Sequence, residues 1–216
     1  MKSLTLAAFL IAVGLLAGGA HAQVYSNGSL TGPLLTGYLP PSWFPAPNSD
    51  PDTMNASANR GVPGLQAFAA APSASPDGGT WVGLMADGEF AEGFGQSVSG
   101  LLVGHSYLVT WYVANFGYTG SGGFTGANAI AVRFNNAPQG TGAIVAVGPS
   151  WVEQSIVFVS PYTANGLYFH LATTGRSYLS IDGIRVTEVP EPGSELLFAA
   201  AVTALVALQL RRRRVG

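Results

Sequence analysis

From residue 79 to residue 189 the sequence consists of short segments in which apolar and polar side chains alternate, with turns rich in Gly, Pro and Asn between them. In the segment 105–115, four large apolar residues fall on one face of an extended chain: Tyr107, Val109, Trp111 and Val113. They do so because successive side chains of a β-strand point to opposite faces. Short strands at this spacing are typical of antiparallel sandwiches. The pattern therefore predicts an all-β fold, an antiparallel β-sandwich.

Further strands are predicted on the same grounds at 80–85, 94–99, 129–135, 143–147, 151–160, 166–173 and 177–189. In the last of these, Leu179 and Ile181 share one face, whereas Ile184 and Val186 are one position out of phase. A bulge at Asp182–Gly183 would return both apolar pairs to the core, because a bulge inserts one extra residue into a strand.

The region from Gln23 to about Ser75 is rich in Pro, Gly, Asn and Ala. A short first strand is predicted at 24–30. Segment 37–52 is predicted to be an extended, partly exposed arm, since proline is excluded from helix interiors and central strands. Only 55–71 has any helical periodicity, and its Pro63-Gly64 pair opposes a helix.

The N-terminal segment 1–22 has the features of a signal peptide, which would form a helix and be removed. Lys2 supplies a positive start, Leu4–Leu16 is apolar, and Ala20-His21-Ala22 is a small-residue cleavage site that leaves Gln23 as the mature start. The alternative, a transmembrane anchor, is disfavoured because the apolar run is short and ends in small residues. The expected ectodomain is therefore 23–188.

The C-terminal segment 189–216 combines three features. The tripeptide Pro190-Glu191-Pro192 is followed by an apolar run, 196–210, and then by the cluster Arg211, Arg212, Arg213 and Arg214. The run predicts a transmembrane helix, and the arginines act as a membrane stop on the cytoplasmic side. As a helix the run covers about 22 Å, less than a hydrocarbon core of about 30 Å. A short anchor suits a transient membrane stop followed by cleavage; the alternative is a plain single-pass anchor after a proline linker.

This tail resembles a PEP-CTERM sorting signal. The resemblance implies export through the inner membrane of a Gram-negative bacterium, transient anchoring by the C-terminal helix, and processing by an exosortase-type membrane transpeptidase. It further implies delivery to the cell surface or to an extracellular polysaccharide matrix. The resemblance covers only the tail and says nothing of the activity of the preceding domain.

Charge and cysteine content exclude several kinds of site. Four arginines and nine acidic residues lie between Gln23 and Val189, a net charge of −5, so a nucleic-acid partner is not expected. The absence of cysteine excludes disulfides, zinc–thiolate sites and a cysteine nucleophile. Solubility must therefore come from Gly, Ser, Thr and Asn, and stability from an apolar core.

No catalytic residue is predicted. His105 sits in a turn and His170 alternates with apolar neighbours on the opposite face, and neither belongs to a recognisable catalytic motif. The cluster of acids at 87–92 is interpreted as a solvated turn, with paired carboxylates of a glycosidase as the alternative. No cofactor is expected apart from a candidate structural calcium ion at Asn48, Asp50 and Asp52, whose oxygens alternate on a loop. The alternative for these three is a turn-forming role.

Aromatic residues near the glycine-rich loop 117–128 are the candidate ligand contacts. Phe116, Tyr118 and Phe124 flank or lie within this loop, where a fixed ring could receive a sugar. The alternative is that they cover the end of a sheet. Trp81, Trp111 and Trp151 alternate with apolar neighbours and are assigned to the core.

The order of features in 24–188 resembles a galactose-binding-like jelly-roll, the fold of many carbohydrate-binding modules. The matching pieces are Asn27-Gly28-Ser29, Trp43, the segment 79–84, Gln96, the segment 104–107, Trp151 and the segment 181–186. The resemblance implies a non-catalytic module that binds carbohydrate or another matrix component. Two alternatives stay open: a structural surface protein without a small-molecule ligand, and a hydrolase of matrix polysaccharide.

Overall fold

Two five-stranded antiparallel sheets pack face to face in the computed structural model, which describes residues 25–57, 68–119, 123–189 and 202–203. In chain order the strands are β1 (Phe44–Pro45), β2 (Asp52–Met54), β3 (Trp81–Ala86), β4 (Gly93–Ser99), β5 (Ser106–Ala114), β6 (Ile130–Phe134), β7 (Ala137–Thr141), β8 (Val152–Val159), β9 (Ala164–Leu171) and β10 (Ser177–Glu188). Sheet I has the spatial order β1-β4-β9-β6-β7, and sheet II has the order β2-β3-β10-β5-β8. The predicted all-β antiparallel sandwich is confirmed.

The core lies between the sheets and consists of the apolar residues that the alternating pattern placed on one face. On β5 these are Tyr107, Val109, Trp111 and Val113, all fully buried. On β9 they are Leu167, Phe169 and Leu171. Burial of one such side chain contributes roughly 1.5–3 kcal/mol. The inward faces of both sheets are thus assigned correctly from the sequence.

The predicted bulge in β10 is present. The pairing of β10 with β5 changes register between Asp182 and Arg185, and Gly183 has a φ of 59°, which glycine adopts without strain. Because of this extra residue, Ile181 and Ile184 are both buried.

Two strand assignments are wrong. Segment 24–30 contains no strand in its described part and instead turns, with the Leu30 amide donating to the Asn27 carbonyl at 3.1 Å. Segment 143–147 makes only a one-residue bridge, Val145 with Asn128, and Ile144 is 75% exposed. The strand that completes sheet I is instead β7, which was not predicted and which contains Pro138. Proline is tolerated there because β7 is an edge strand, and one side of its backbone needs no partner.

The proline-rich segment is extended only in part, because it turns at 41–42 and 47–48, where Ser42 and Asn48 have positive φ. It leads into a short edge strand on each sheet, β1 on sheet I and β2 on sheet II. Directly before β1 the chain is anchored by Trp43, whose ring packs 5.0 Å from that of Phe94 and whose indole N–H donates to the Asn27 carbonyl at 2.8 Å. The arm is therefore part of the sandwich.

Several predicted features lie outside the described residues: the signal helix 1–22, segment 58–67, the motif Pro190-Glu191-Pro192 and the Arg211–Arg214 cluster. Of the predicted helix 196–210, only Val202 and Thr203 are described, and both are helical.

Among the described helical residues, no helix reaches the length and apolarity that a membrane crossing requires.

Candidate ligand-binding face

One row of residues crosses all five strands of sheet I on the face that points away from the core. Directly opposed partners in successive strand pairs are Phe44, Gly95, Tyr168, Arg133 and Pro138. Opposed residues of antiparallel strands lie on the same face, so these five form a continuous line, here called the outer row. With strands about 4.8 Å apart, the outer row is roughly 19 Å long.

The ring of Tyr168 lies flat on the sheet at the centre of the outer row. A Cβ atom on Gly95 would come within 2.6 Å of Tyr168 Cδ1, and a Cβ on Gly166 within 2.7 Å of its Cε2. Real Cβ atoms do not approach this closely, so the ring occupies space that only glycine leaves open. Two glycines on adjacent strands therefore hold one face of the ring against the backbone, and its other face points outward.

His170 extends this flat surface along β9. Its ring centroid is 6.0 Å from that of Tyr168, with 33° between the ring planes. It covers Gly93, where a Cβ would lie 2.6 Å from the imidazole Cγ. Partial burial, together with the positive charge of Arg133, lowers the pKa of His170 below its usual value. Its imidazole is therefore neutral at pH 7.

Phe44 closes one end of the surface and Arg133 lies toward the other. The Phe44 ring is 38% exposed and meets Tyr168 at a centroid distance of 5.7 Å and an angle of 74°, so it stands on edge beside the flat ring. Arg133 is exposed and directly opposite Tyr168 on β6. The face thus combines fixed aromatic rings with one strong hydrogen-bond donor.

A pocket of about 420 Å³ adjoins β1 at the edge of the same sheet. Its lining includes Tyr38, Pro41, Pro45, Ser49 and Asp50. Tyr38 is 51% exposed, and Asp50 is also exposed. Trp43 and Pro45 line the pocket, whereas Phe44 between them does not, so the pocket is separate from the outer row.

The aromatic residues chosen from the sequence are mostly in the core. Phe116 is fully buried, with its ring 5.4 Å from Trp151 and 5.8 Å from Trp81. Phe124 is 6% exposed, stacks on Tyr118 at 5.6 Å and is covered by the Arg176 guanidinium at 5.1 Å. The prediction that Phe116 and Phe124 offer a face to a ligand is wrong, because both pack into a second apolar cluster at the end of sheet II. Tyr118 is partly exposed.

The candidate calcium residues have other contacts. Asp52 accepts hydrogen bonds from the Gly37 amide at 2.9 Å and from the Tyr178 hydroxyl at 2.7 Å, while Asn48 and Asp50 are exposed. Burial raises the pKa of Asp52. Within the described residues, no three or more His, Cys, Asp or Glu side chains are grouped as a metal site would need. Calcium at Asn48, Asp50 and Asp52 stays a prediction, with both Asp52 oxygens already engaged by protein donors.

The acidic residues considered for catalysis have separate structural positions. Asp87 caps a turn by accepting from the amides of Phe90 and Glu89, and these hydrogen bonds lower its pKa. Glu92 is buried and accepts from the Met85 amide at 2.6 Å and the Asp50 amide at 3.3 Å. Burial, then a hydrogen bond with Asp50, raises the pKa of Glu92 to about 8, so it is protonated at neutral pH.

Asp182 is buried at the bulge of β10. Ser75 and the Gly183 amide lie near it, yet neither of its carboxyl oxygens has a hydrogen bond of good geometry. Burial raises its pKa to about 7.

Sequence reasoning missed Phe44 and Tyr168. The available signal was the spacing Gly93-x-Gly95 on one strand and Gly166-x-Tyr168-x-His170 on another, which places small residues and flat rings on the polar faces of both. This spacing indicates a flat aromatic surface only if the two strands are neighbours, and the alternation of apolar and polar residues does not show which strands are neighbours.

No protein-family model matches the sequence, and no curated protein matches it. Among solved structures, the CBM22-1 xylan-binding domain from Paenibacillus barcinonensis Xyn10C is 13% identical, over 81% of this chain and 99% of that chain, with a TM-score of 0.49. TmCBM61 in complex with beta-1,4-galactotriose is 14% identical, over 69% of this chain and 90% of that chain, with a TM-score of 0.44.

Enzyme chains are also similar. The match to an arabinose-bound MgGH51 α-L-arabinofuranosidase is 10% identical, covers 80% of this chain and has a TM-score of 0.49. The chain spans about a quarter of the enzyme chains it matches, 27% of this one and 26% of the Clostridium thermocellum xylanase 10B modules. At these identities and TM-scores, the similarity does not bear on what the present chain binds.

Proposed function

We propose that the protein is a non-catalytic binding module, a galactose-binding-like jelly-roll that holds a polysaccharide along the outer row of sheet I. One observation carries the proposal: the Tyr168 ring is laid flat on the sheet over Gly95 and Gly166, with its free face outward between Phe44 and Arg133. The xylan and galactotriose named for two similar structures are ligands of those proteins.

The chemistry of the row suits a sugar chain. The C–H groups on one face of a pyranose ring pack well against the electron-rich face of an aromatic ring, while its hydroxyls need hydrogen-bond donors and acceptors at the rim. Tyr168 supplies the flat face, and Arg133 and His170 supply the polar contacts. Because Tyr168 is already immobilised by the sheet, little side-chain entropy is lost on binding. The length of the row favours several linked sugars over a single one.

The test is a binding measurement with the full-length protein and a panel of soluble polysaccharides, by affinity electrophoresis and calorimetry. Tyr168→Ala is expected to weaken binding about tenfold or more, or about 1.4 kcal/mol. Tyr162→Ala is the matched control, because Tyr162 is 56% exposed and lies off the outer row. Unchanged affinity of Tyr168→Ala would refute the proposed site.

Two alternatives have distinct outcomes in the same experiment. Failure of the wild-type protein to retain any polysaccharide would favour a structural surface protein. Release of reducing ends from a bound polysaccharide would favour a hydrolase.

We also propose that segment 189–216 is a PEP-CTERM sorting signal handled by an exosortase-type transpeptidase. Its support is the sequence alone: the tripeptide around Glu191, the short apolar run and the arginine cluster. Glu191→Ala is expected to leave the protein in the inner membrane, whereas the control Glu195→Ala is expected to be released. Normal release of Glu191→Ala would argue against the proposal.

A further inference from the structure

Acidic residues are distributed unevenly over the two sheets. The five strands of sheet I contain no Asp or Glu. All nine acids between residues 23 and 189 lie on sheet II or in loops: Asp50, Asp52, Asp77, Asp87, Glu89, Glu92, Glu153, Asp182 and Glu188. The nearest in sequence, Glu92, precedes β4, and its side chain is buried. The strands of sheet I therefore present an outer face without acids on a domain whose net charge is −5, and the exposed Asp50 lies beyond the edge of this face, in the pocket beside β1.

The positive charge on this face has no carboxylate partner. In the described part of the chain, the two ion pairs are His105 with Glu188 and Arg185 with Asp77, so Arg133 has no acidic oxygen within 4.0 Å. The other described arginines are engaged, Arg185 with Asp77 at 2.6 Å and Arg176 above the Phe124 ring. Arg133 instead is exposed beside Tyr168 in the outer row, and its positive charge contributes to lowering the pKa of His170.

We infer that the polysaccharide is acidic, with the ring of a uronic acid on Tyr168 and its carboxylate bound by the Arg133 guanidinium. This inference rests on the proposed function. A guanidinium matches a carboxylate with two parallel N–H···O hydrogen bonds, and such charge-assisted bonds are roughly twice as strong as neutral ones. A polyanion is repelled by the acid-bearing remainder of the domain, so the acid-free face is where it can approach closely.

The opposing possibility is a neutral polysaccharide whose hydroxyls accept hydrogen bonds from Arg133. In that case the charge is incidental, and binding depends little on ionic strength. An acidic ligand predicts the reverse, because an ion pair at an exposed site weakens as salt screens it.

The experiment compares each of two polyuronates, polygalacturonate and alginate, with the same polymer after chemical reduction of its carboxyl groups, using the full-length protein. We expect at least one polyuronate to bind about tenfold more tightly than its reduced form, and its affinity to fall between 50 and 300 mM NaCl. Arg133→Gln is expected to remove most of this preference, because it should lower the affinity for the polyuronate far more than the affinity for the reduced polymer. Arg176→Gln is the control, since it removes the same charge away from sheet I.

The outcomes separate the inference from the function beneath it. If Tyr168→Ala abolishes binding while carboxyl reduction and Arg133→Gln change nothing, the site stands and the acidic ligand is wrong. If neither polyuronate is bound, the acidic ligand is likewise wrong. If a polyuronate is bound but Tyr168→Ala has no effect, the proposed site itself fails. Because Arg133 is exposed, an unchanged unfolding midpoint for Arg133→Gln will show that the variant is folded.

Discussion

The two sheets share a core and a strand count but present different outer faces. Sheet I lays Tyr168 and His170 flat over glycines and carries no acid, whereas sheet II bears Glu153, Arg185 and exposed valines such as Val157 on its outward side. Two carboxyl groups are buried in the described part of the chain. That of Glu92, just before β4, accepts two backbone amides, whereas neither carboxyl oxygen of Asp182, in β10, has a hydrogen bond of good geometry.

The contrast shows how a sandwich can divide its tasks. The inward residues of both sheets must be large and apolar, because they all fill the same core. The outward residues need not be large or apolar. On sheet I, Gly95 and Gly166 leave space in which the Tyr168 ring lies flat on the sheet. The proposed binding face therefore depends on the missing side chains at Gly95 and Gly166 as much as on the Tyr168 ring.

The largest stability effect is expected where the sheets meet. Phe169→Ala should lower the free energy of unfolding by about 3–5 kcal/mol, since it removes a fully buried ring in contact with Phe94 and Trp111. Tyr168→Ala, one residue earlier and on the outer face, should lower it by less than about 1 kcal/mol. Urea unfolding measures both, and equal losses would contradict the assignment of faces.

Filling the space beneath the flat ring should damage both fold and binding. Gly95→Ala places a Cβ 2.5 Å from the Leu167 carbonyl oxygen and 2.6 Å from Tyr168 Cδ1, so the ring must lift. We expect a loss of up to about 3 kcal/mol in unfolding free energy and a tenfold or greater loss in polysaccharide affinity. Ser97→Ala, on the same strand and face, is the control. Wild-type affinity in folded Gly95→Ala would show that the flat ring is not required.

The buried carboxyl beside sheet I makes stability depend on pH. The pKa of Glu92 is raised from 4.5 to about 8 in the fold, so the folded state holds its proton where the unfolded state has lost it. Stability from this group is therefore present at low pH and is lost as pH rises toward 8, by about 2 kcal/mol between pH 6 and pH 8. Glu92→Gln, which mimics the protonated form, should flatten this slope in urea titrations at both pH values. An unchanged slope would show that Glu92 does not titrate in this range.

The buried carboxyl of sheet II should also make the free energy of unfolding fall as pH rises, but by a smaller amount. Burial raises the pKa of Asp182 from 3.8 to about 7, so its contribution declines earlier, by about 1 kcal/mol between pH 6 and pH 8. Asp182→Asn should remove this part of the slope when measured with EDTA to exclude divalent cations. A slope that persists in Asp182→Asn but disappears in Glu92→Gln would assign the whole effect to Glu92.

Much of the fold could be predicted because local patterns and the core agree. The inward set Ile130, Val132 and Phe134, the outward Arg133 and the bulge at Gly183 all follow from side-chain alternation. The errors lie where alternation is a weak guide. Segment 143–147 is apolar yet mostly unpaired, and β7 contains a proline that an edge position tolerates.

The sequence by itself determined most of the strands, the facing of most of their side chains, the lack of cysteine and the absence of acids from the segments that became sheet I. Only the tertiary structure decided which strands are neighbours. The outer row joins residues from position 44 to position 168, and no local period encodes that Gly95 lies beside Tyr168. The same holds for Phe116. Its position beside a loop suggested a ligand contact, whereas in the fold its ring packs against Trp81 and is buried. Alternation specifies a face, whereas lateral order depends on how the whole chain closes around its core.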